Sequence, residues 1–177
     1  MEDNAVKSNM LAALLTAGFI AGPAIAQDTG SRQTREFVQA AGESDTFEIM
    51  EAYSALAQSK DPQVRAFAQQ MIHDHSETSR QLREATTRAG LKPPPMAVGS
   101  SLSPFLASLQ SQRGAEFDKV YWQQQALAHR AALTVEQRYA ADGDNPELRR
   151  TAAGAIPLIQ AHLSVARLNS AKIDSGS

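Results

Sequence analysis

Three proline-containing junctions divide the chain into long segments, and this punctuation limits its fold more than any other feature. Each junction puts a capping side chain directly before a proline at a first helical position: Asp61-Pro62, Ser103-Pro104 and Asn145-Pro146. The segments between them are rich in Ala, Gln, Glu, Arg and Leu, which are good helix formers. No β-type alternation or hairpin signal competes with them. The sequence therefore predicts an all-α protein.

Four long helices are predicted, each with an apolar stripe at helical spacing. They are helix A, Arg32–Ser59; B, Pro62–Ala89; C, Gly114–Asp142; and D, Pro146–Lys172. Short turns make A–B and C–D antiparallel hairpins. A helix of about 27 residues is roughly 40 Å long, and about 13 extended residues can span that length.

The B–C connection, with a short helix from Ser103, is therefore long enough for a crossover. We expect one domain over 27–177, a ferritin-like four-helix bundle with a long B–C crossover. A plain up-down bundle with a decorated loop also fits these lengths.

The N-terminal segment has the pattern of a cleavable signal peptide. An apolar run over Met10–Ile20 is broken by Gly22-Pro23 and followed by Ala24-Ile25-Ala26. We predict a signal peptide over 1–26, cleavage after Ala26, and a periplasmic or otherwise exported product. Glu2 and Asp3 are atypical of the positive segment expected before the run. The run is shorter than the roughly 20 residues of a membrane span, and no transmembrane segment is expected in the mature chain.

Charge and composition exclude several classes of function. The formal net charge is -2 without a basic run, which argues against a nucleic-acid partner. The chain has no cysteine, so disulfides and thiolate metal sites are excluded. Ser-His-Asp, P-loop and dinucleotide patterns are also absent. Neither a partner nor a substrate follows from the sequence.

Four polar residues interrupt the apolar stripes, one on each predicted helix: Glu48, His75, His129 and His162. Counted from the short turns, Glu48 and His75 differ in height by about 3 Å, and His129 and His162 by about 4.5 Å. Both pairs therefore lie near the middle of their hairpins. His129 lies beside the strongest stripe of helix C, which includes Leu127, and not on it.

Two interpretations of these four residues stay open. One carboxylate and three imidazoles at one level are sufficient ligands for zinc, copper or iron. In the other interpretation they form a hydrogen-bonded network, in which Glu48 accepts from a histidine and Tyr121 and Gln125 complete the remaining bonds. His73 falls on the polar face of helix B and is expected to be exposed.

Three segments carry a resemblance to a known family. They contain A-x-x-M-x-x-D-H ending at His75, a Phe117/Tyr121/Gln125/His129 ladder, and I-P-x-x-x-x-H ending at His162. Over about residues 36–168 the chain closely resembles the bacterial exported family called domain of unknown function 4142. The resemblance implies a ferritin-like bundle with a signal peptide and no established activity.

Two departures limit what the resemblance implies. Ala128 stands where family members often have an acidic residue before the third-helix histidine. The Glu-x-x-His motifs of di-iron proteins are absent, since Ile72 and Ile159 stand three residues before His75 and His162. A di-iron oxidase is therefore not expected.

Our leading hypothesis is a non-catalytic exported bundle that binds a single transition metal ion, in envelope stress or metal handling. The alternatives are a metalloenzyme that uses the same Glu/His site with an open coordination position, and a structural or partner-binding bundle with a polar core. Elemental analysis of protein without a histidine tag separates the metal-binding hypotheses from the structural one.

Overall fold

The computed structural model describes residues 30–175, without the side chain of Asp174. The chain is all-α, as predicted, and has no strand within these residues. The five helices are α1 (Arg32–Gln58), α2 (Pro62–Arg88), α3 (Ser103–Ser111), α4 (Gly114–Asp142) and α5 (Pro146–Asp174). The long helices begin and end within two residues of the predicted positions. The predicted signal peptide, 1–26, lies outside the described residues.

Two of the three predicted caps form. The Asp61 carboxylate accepts hydrogen bonds from the backbone N–H groups of residues 63 and 64. The side-chain oxygen Oδ1 of Asn145 accepts hydrogen bonds from the backbone N–H groups of residues 147 and 148. The third differs, because α3 begins at Ser103 itself and Leu102 is its N-cap, without a side-chain bond. The Ser103 hydroxyl instead donates to the carbonyl of Gly99. At the end of α2, Gly90 has a φ of +72°, which favours glycine.

The four long helices form two antiparallel hairpins that lie against each other. α1 packs on α2 and α4, and α5 packs on α4 and α2. Thr34 at the start of α1 contacts Tyr139 near the end of α4, so these two helices are antiparallel. Among residues 30–175, no helix is both long and apolar enough to span a bilayer.

The connection between α2 and α4 runs along α1. Leu91 packs in one apolar cluster with Phe37, near the start of α1. At the far end, the Gln110 amide donates to Ser54 and the Arg113 guanidinium donates to Gln58, both near the end of α1. The connection therefore passes from one end of α1 to the other.

The apolar core consists of two clusters on either side of a polar layer. One cluster is built around Phe67, Met71 and Phe117, and the other around Phe37, Leu82 and Leu148. His75 lies on α2 between Met71 and Leu82, one from each cluster. The predicted polar residues therefore sit inside the protein, where each side chain needs a partner.

Gly42 permits the close approach of the connection to α1. A Cβ at this position would lie 2.8 Å from Cβ of Pro94. Gly42→Ala is therefore expected to lower the unfolding free energy by about 1–3 kcal/mol through overpacking. Gly154→Ala is the matched control, because its added Cβ would have no packing neighbour within 4 Å beyond the nearby backbone of its own helix. In α5 the control should stabilise by about 0.5–1 kcal/mol. Urea unfolding of both variants checks the prediction, and a stabilised Gly42→Ala would contradict it.

Candidate metal centre

The three predicted histidines converge in the polar layer. His75, His129 and His162 come from α2, α4 and α5, and each is buried. One ring nitrogen from each lies within 4.8 Å of the corresponding nitrogens of the other two. The ring centroids are 5.5 Å apart for His75–His129, 5.5 Å for His75–His162 and 5.2 Å for His129–His162. We call these three residues the His triad.

Each histidine of the His triad is held through one ring nitrogen. Nδ1 of His75 is 2.9 Å from Oδ1 of Asp45, and Nε2 of His162 is 2.9 Å from Oδ2 of Asp74. Nδ1 of His129 is 2.8 Å from the backbone carbonyl of Gln125. Because a carboxylate or carbonyl oxygen can only accept, these nitrogens carry the protons.

Among residues 30–175, the other nitrogen of each ring has no hydrogen-bond partner: Nε2 of His75, Nε2 of His129 and Nδ1 of His162. In the neutral form of each ring, this nitrogen carries the lone pair. A histidine whose far N–H is fixed by a carboxylate or carbonyl is the usual arrangement of a metal ligand. The His triad therefore presents three oriented imidazole donors.

Burial keeps two of the three rings neutral. It lowers the pKa of His129 to about 3 and that of His162 to about 4, with neighbouring histidine charge adding to the effect. Burial also opposes charge on His75, but its hydrogen bond to Asp45 and the charges of Glu48, Asp45 and Asp74 outweigh it and raise the pKa. At neutral pH, His129 and His162 thus hold free lone pairs.

Glu48, the fourth predicted site residue, lies beside the His triad. Its Oε1 is 3.7 Å from Nδ1 of His129, the nitrogen that already bonds the Gln125 carbonyl. The side chain is fully buried, and burial raises its pKa to about 7. Within the part of the chain that the structure describes, neither of its carboxyl oxygens has a hydrogen-bond partner. Glu48 thus approaches the protonated side of the nearest imidazole.

The hydrogen-bonded network that was predicted around Glu48 does not form with the predicted partners. From the described residues, Glu48 accepts no hydrogen bond and the Tyr121 hydroxyl has no partner. The Gln125 amide donates instead to Oε2 of Glu51, at 2.8 Å. Glu51, which the sequence interpretation did not include, lies one turn beyond Glu48 on the same face of α1.

The inward face of α4 also differs from the predicted one. The prediction gave priority to a stripe that includes Leu127, but Leu127 is 50% exposed. The adjacent stripe with Tyr121, Gln125 and His129 is completely buried. His129, which was expected beside the strongest stripe and not on it, is fully buried. His73 is exposed as expected, with 82% of its side chain accessible.

Two carboxylates that orient the His triad were not predicted. Asp45 bonds His75 and also accepts from the hydroxyls of Thr78 and Ser79. The inward position of Asp45 could have been read from the sequence, since positions 41, 45, 48 and 52 share one helix face. Asp74 belongs to the Asp74-His75 motif, but only the relative rotation of α2 and α5 directs it to His162.

A cavity of about 200 Å³ reaches the polar layer from between α1 and α4. Its inner end is bounded by His75 and Asp45, and its lining is mostly small or apolar. Glu136 also lines it, and burial raises the pKa of this carboxyl to about 8. Leu102, in the connection, lines it as well. The His75–Asp45 pair is therefore adjacent to open space.

The chain is therefore an all-α protein with three buried histidines that lie close enough together to be candidate metal ligands. It belongs to the family described as "Domain of unknown function (DUF4142)", which it matches over residues 21–168. The predicted resemblance is thereby confirmed. No curated protein gives a significant sequence match.

Solved structures share the fold at low sequence identity. One is a DUF305 fragment from Deinococcus radiodurans, with a TM-score of 0.70, 16% identity, and coverage of 82% of this chain and 99% of that one. CopM in the Cu(I)-bound form has a TM-score of 0.60 at 16% identity, covering 77% of this chain and 92% of that one. CopM in the Cu(II)-bound form has a TM-score of 0.61 at 16% identity, covering 79% and 95%.

Proposed function

We propose that this protein binds a single transition metal ion at the His triad and does so as a binding protein, not as an enzyme. The observation that carries the proposal is the set of three unpartnered imidazole nitrogens, each on a ring whose opposite nitrogen is held by an acceptor. A buried imidazole nitrogen without a partner is costly. A metal ion bonded to all three nitrogens would remove this cost.

The donor set favours copper or zinc over iron. Imidazole suits both ions, whereas non-haem iron sites usually include a carboxylate ligand. Here the carboxylates of Asp45 and Asp74 bond imidazole N–H groups instead of joining the donors. CopM, which shares the fold, has been solved with copper bound in two oxidation states. Copper is therefore the first ion to test, with zinc as the competitor.

The protein's own residues would select and retain the ion. Asp45, Asp74 and the Gln125 carbonyl fix the tautomer of each ring, so that the rings need not reorient when an ion binds. Phe67 packs edge-on against His162, with centroids 6.0 Å apart, and closes one side of the layer. Burial restricts water, which slows loss of a bound ion.

Titration of tag-free, metal-depleted protein with Cu(I) and Zn²⁺ against a chromophoric chelator tests this function. We expect one equivalent of copper or zinc to bind the His triad, with loss of binding when two of the three histidines are replaced. Binding that survives the loss of both His75 and His162 would rule these residues out as ligands.

Asp74→Asn should weaken metal binding about 10- to 100-fold, because an amide orients the His162 ring less well than a carboxylate. The matched control is Glu77→Gln on the same helix, since Glu77 pairs only with exposed partners, Arg80 and Gln81. The chelator competition assay compares the two variants. Equal affinities would show that Asp74 does not support a ligand.

We further propose that the architecture is a ferritin-like four-helix bundle with a long crossover between the second and third long helices. The two antiparallel hairpins and the contacts of the connection at both ends of α1 support this topology. The absence of Glu-x-x-His motifs limits the likeness to the fold.

Export is also proposed, on the pattern of an apolar run followed by Ala24-Ile25-Ala26. A periplasmic location fits a role in metal handling or envelope stress. N-terminal sequencing of protein from the periplasmic fraction should begin at Gln27. Recovery of the full-length chain from the cytoplasm alone would contradict export.

A further inference from the structure

Beside the His triad, a group of buried oxygens lacks hydrogen-bond partners among the residues that the structure describes. They are both carboxyl oxygens of Glu48, Oε1 of Glu51, the hydroxyl of Tyr121 and the side-chain carbonyl of Gln125. All four residues are completely inaccessible to solvent. We call them the oxygen cluster.

The members of the oxygen cluster act on one another. Glu48 and Glu51 are three residues apart on α1 and therefore share a face. The Gln125 amide donates to Glu51 at 2.8 Å, which brings α4 against this face. The charges of both carboxylates act on the Tyr121 hydroxyl, which lies one turn before Gln125.

The hydrogen bonds available inside the cluster cannot satisfy it. In their ionised forms both carboxyls only accept, and the cluster's donors are the Gln125 amide and the Tyr121 hydroxyl. Without a cation, burial disfavours these ionised forms and raises the pKa of both carboxyls. A divalent cation supplies the missing charge and accepts several oxygens as ligands.

Carboxylate, carbonyl and phenol oxygens suit hard ions such as Mg²⁺ and Mn²⁺, unlike the imidazoles of the His triad. We propose that the oxygen cluster is a second cation site that takes a hard divalent cation. Glu48 then belongs to this second site, which agrees with its position beside the protonated nitrogen of His129. The inference goes beyond the proposed function and does not depend on it, because its donors are separate.

Manganese provides the probe, since free Mn²⁺ is measured directly by electron paramagnetic resonance. Metal-depleted protein is expected to bind one Mn²⁺ per chain. Glu51→Gln keeps the shape of the side chain but removes its charge, and should lower the Mn²⁺ affinity about 100-fold. Tyr121→Phe should lower it about tenfold. Glu136→Gln is the matched control, because Glu136 is a buried carboxyl on α4 outside the oxygen cluster. This substitution should leave the Mn²⁺ affinity unchanged.

His162→Ala separates this inference from the proposed function. It should reduce Cu(I) binding while one Mn²⁺ is retained, and circular dichroism checks that each variant is folded. The proposal is overturned if no Mn²⁺ binds, or if Glu51→Gln binds Mn²⁺ as tightly as the unmodified chain. Loss of Mn²⁺ in His162→Ala together with retention in Glu51→Gln would also overturn it, because the ion would then occupy the His triad.

Discussion

His129→Ala is expected to lower the affinity for Cu(I) by more than about 100-fold. Loss of a residue that only hydrogen-bonds a metal ligand typically lowers the affinity by about 10- to 100-fold. The side chain is fully buried, and its Nδ1 bonds a carbonyl of its own helix. Alanine therefore removes one of three proposed donors and leaves both supporting carboxylates, Asp45 and Asp74, in place. Competition with a Cu(I) chelator gives the affinities directly.

The same variant should lose metal-dependent stabilisation. An ion that binds only the folded state at 1,000 times its dissociation constant raises the unfolding free energy by about 4 kcal/mol. We expect such an increase for the unmodified chain and not for His129→Ala. His73→Ala is the control, because 82% of the His73 side chain is exposed. Stabilisation by copper that is equal in His129→Ala and the unmodified chain would contradict the assignment of His129.

Glu136→Gln should change how stability depends on pH. Burial, with the charge of Asp45, raises the pKa of Glu136 from an ordinary 4.5 to about 8. Between these values the folded state binds a proton that the unfolded state has released. Stability therefore falls as pH rises through this window, by an amount on the order of a few kcal/mol. The uncharged glutamine removes this loss.

The expected result is a Glu136→Gln variant that matches the unmodified chain near pH 4 and is more stable at pH 9. Urea unfolding at several pH values measures the difference. Glu84→Gln is the control, since Glu84 is an exposed carboxylate paired with Arg80 and Arg88 and should shift stability little. A difference between Glu136→Gln and the unmodified chain that is constant from pH 4 to 9 would show that Glu136 does not titrate in this way.

The helices could be predicted closely because their limits depend on local chemistry. Asp61 and Asn145 cap the helices that follow them, as their sequence positions indicate. Ser103 failed as a cap because Gly99 and Leu102 already form the turn that starts α3. Such a turn leaves little signal in a single sequence.

The convergence of the three histidines was predictable from the sequence. Height counting from short turns identified His75, His129 and His162 because helical rise is constant. It could not assign partners, which depend on how each helix is rotated about its axis. For that reason Leu127 was placed inward, and Asp45 and Glu51 were missed. A charged residue on the apolar face of a helix indicates that the core contains a polar layer.

X-ray absorption at the copper edge, on protein loaded with one equivalent of Cu(I), tests the proposed metal centre most directly. We expect three imidazole nitrogens at about 2.0 Å and no sulfur scatterer. His129→Ala should remove one of these nitrogens. The alternative donor nearby in sequence is Met71, one turn before His75 and packed in the apolar core. A spectrum with a sulfur shell near about 2.3 Å, or without imidazole scattering, would contradict the assignment of the His triad as the metal site.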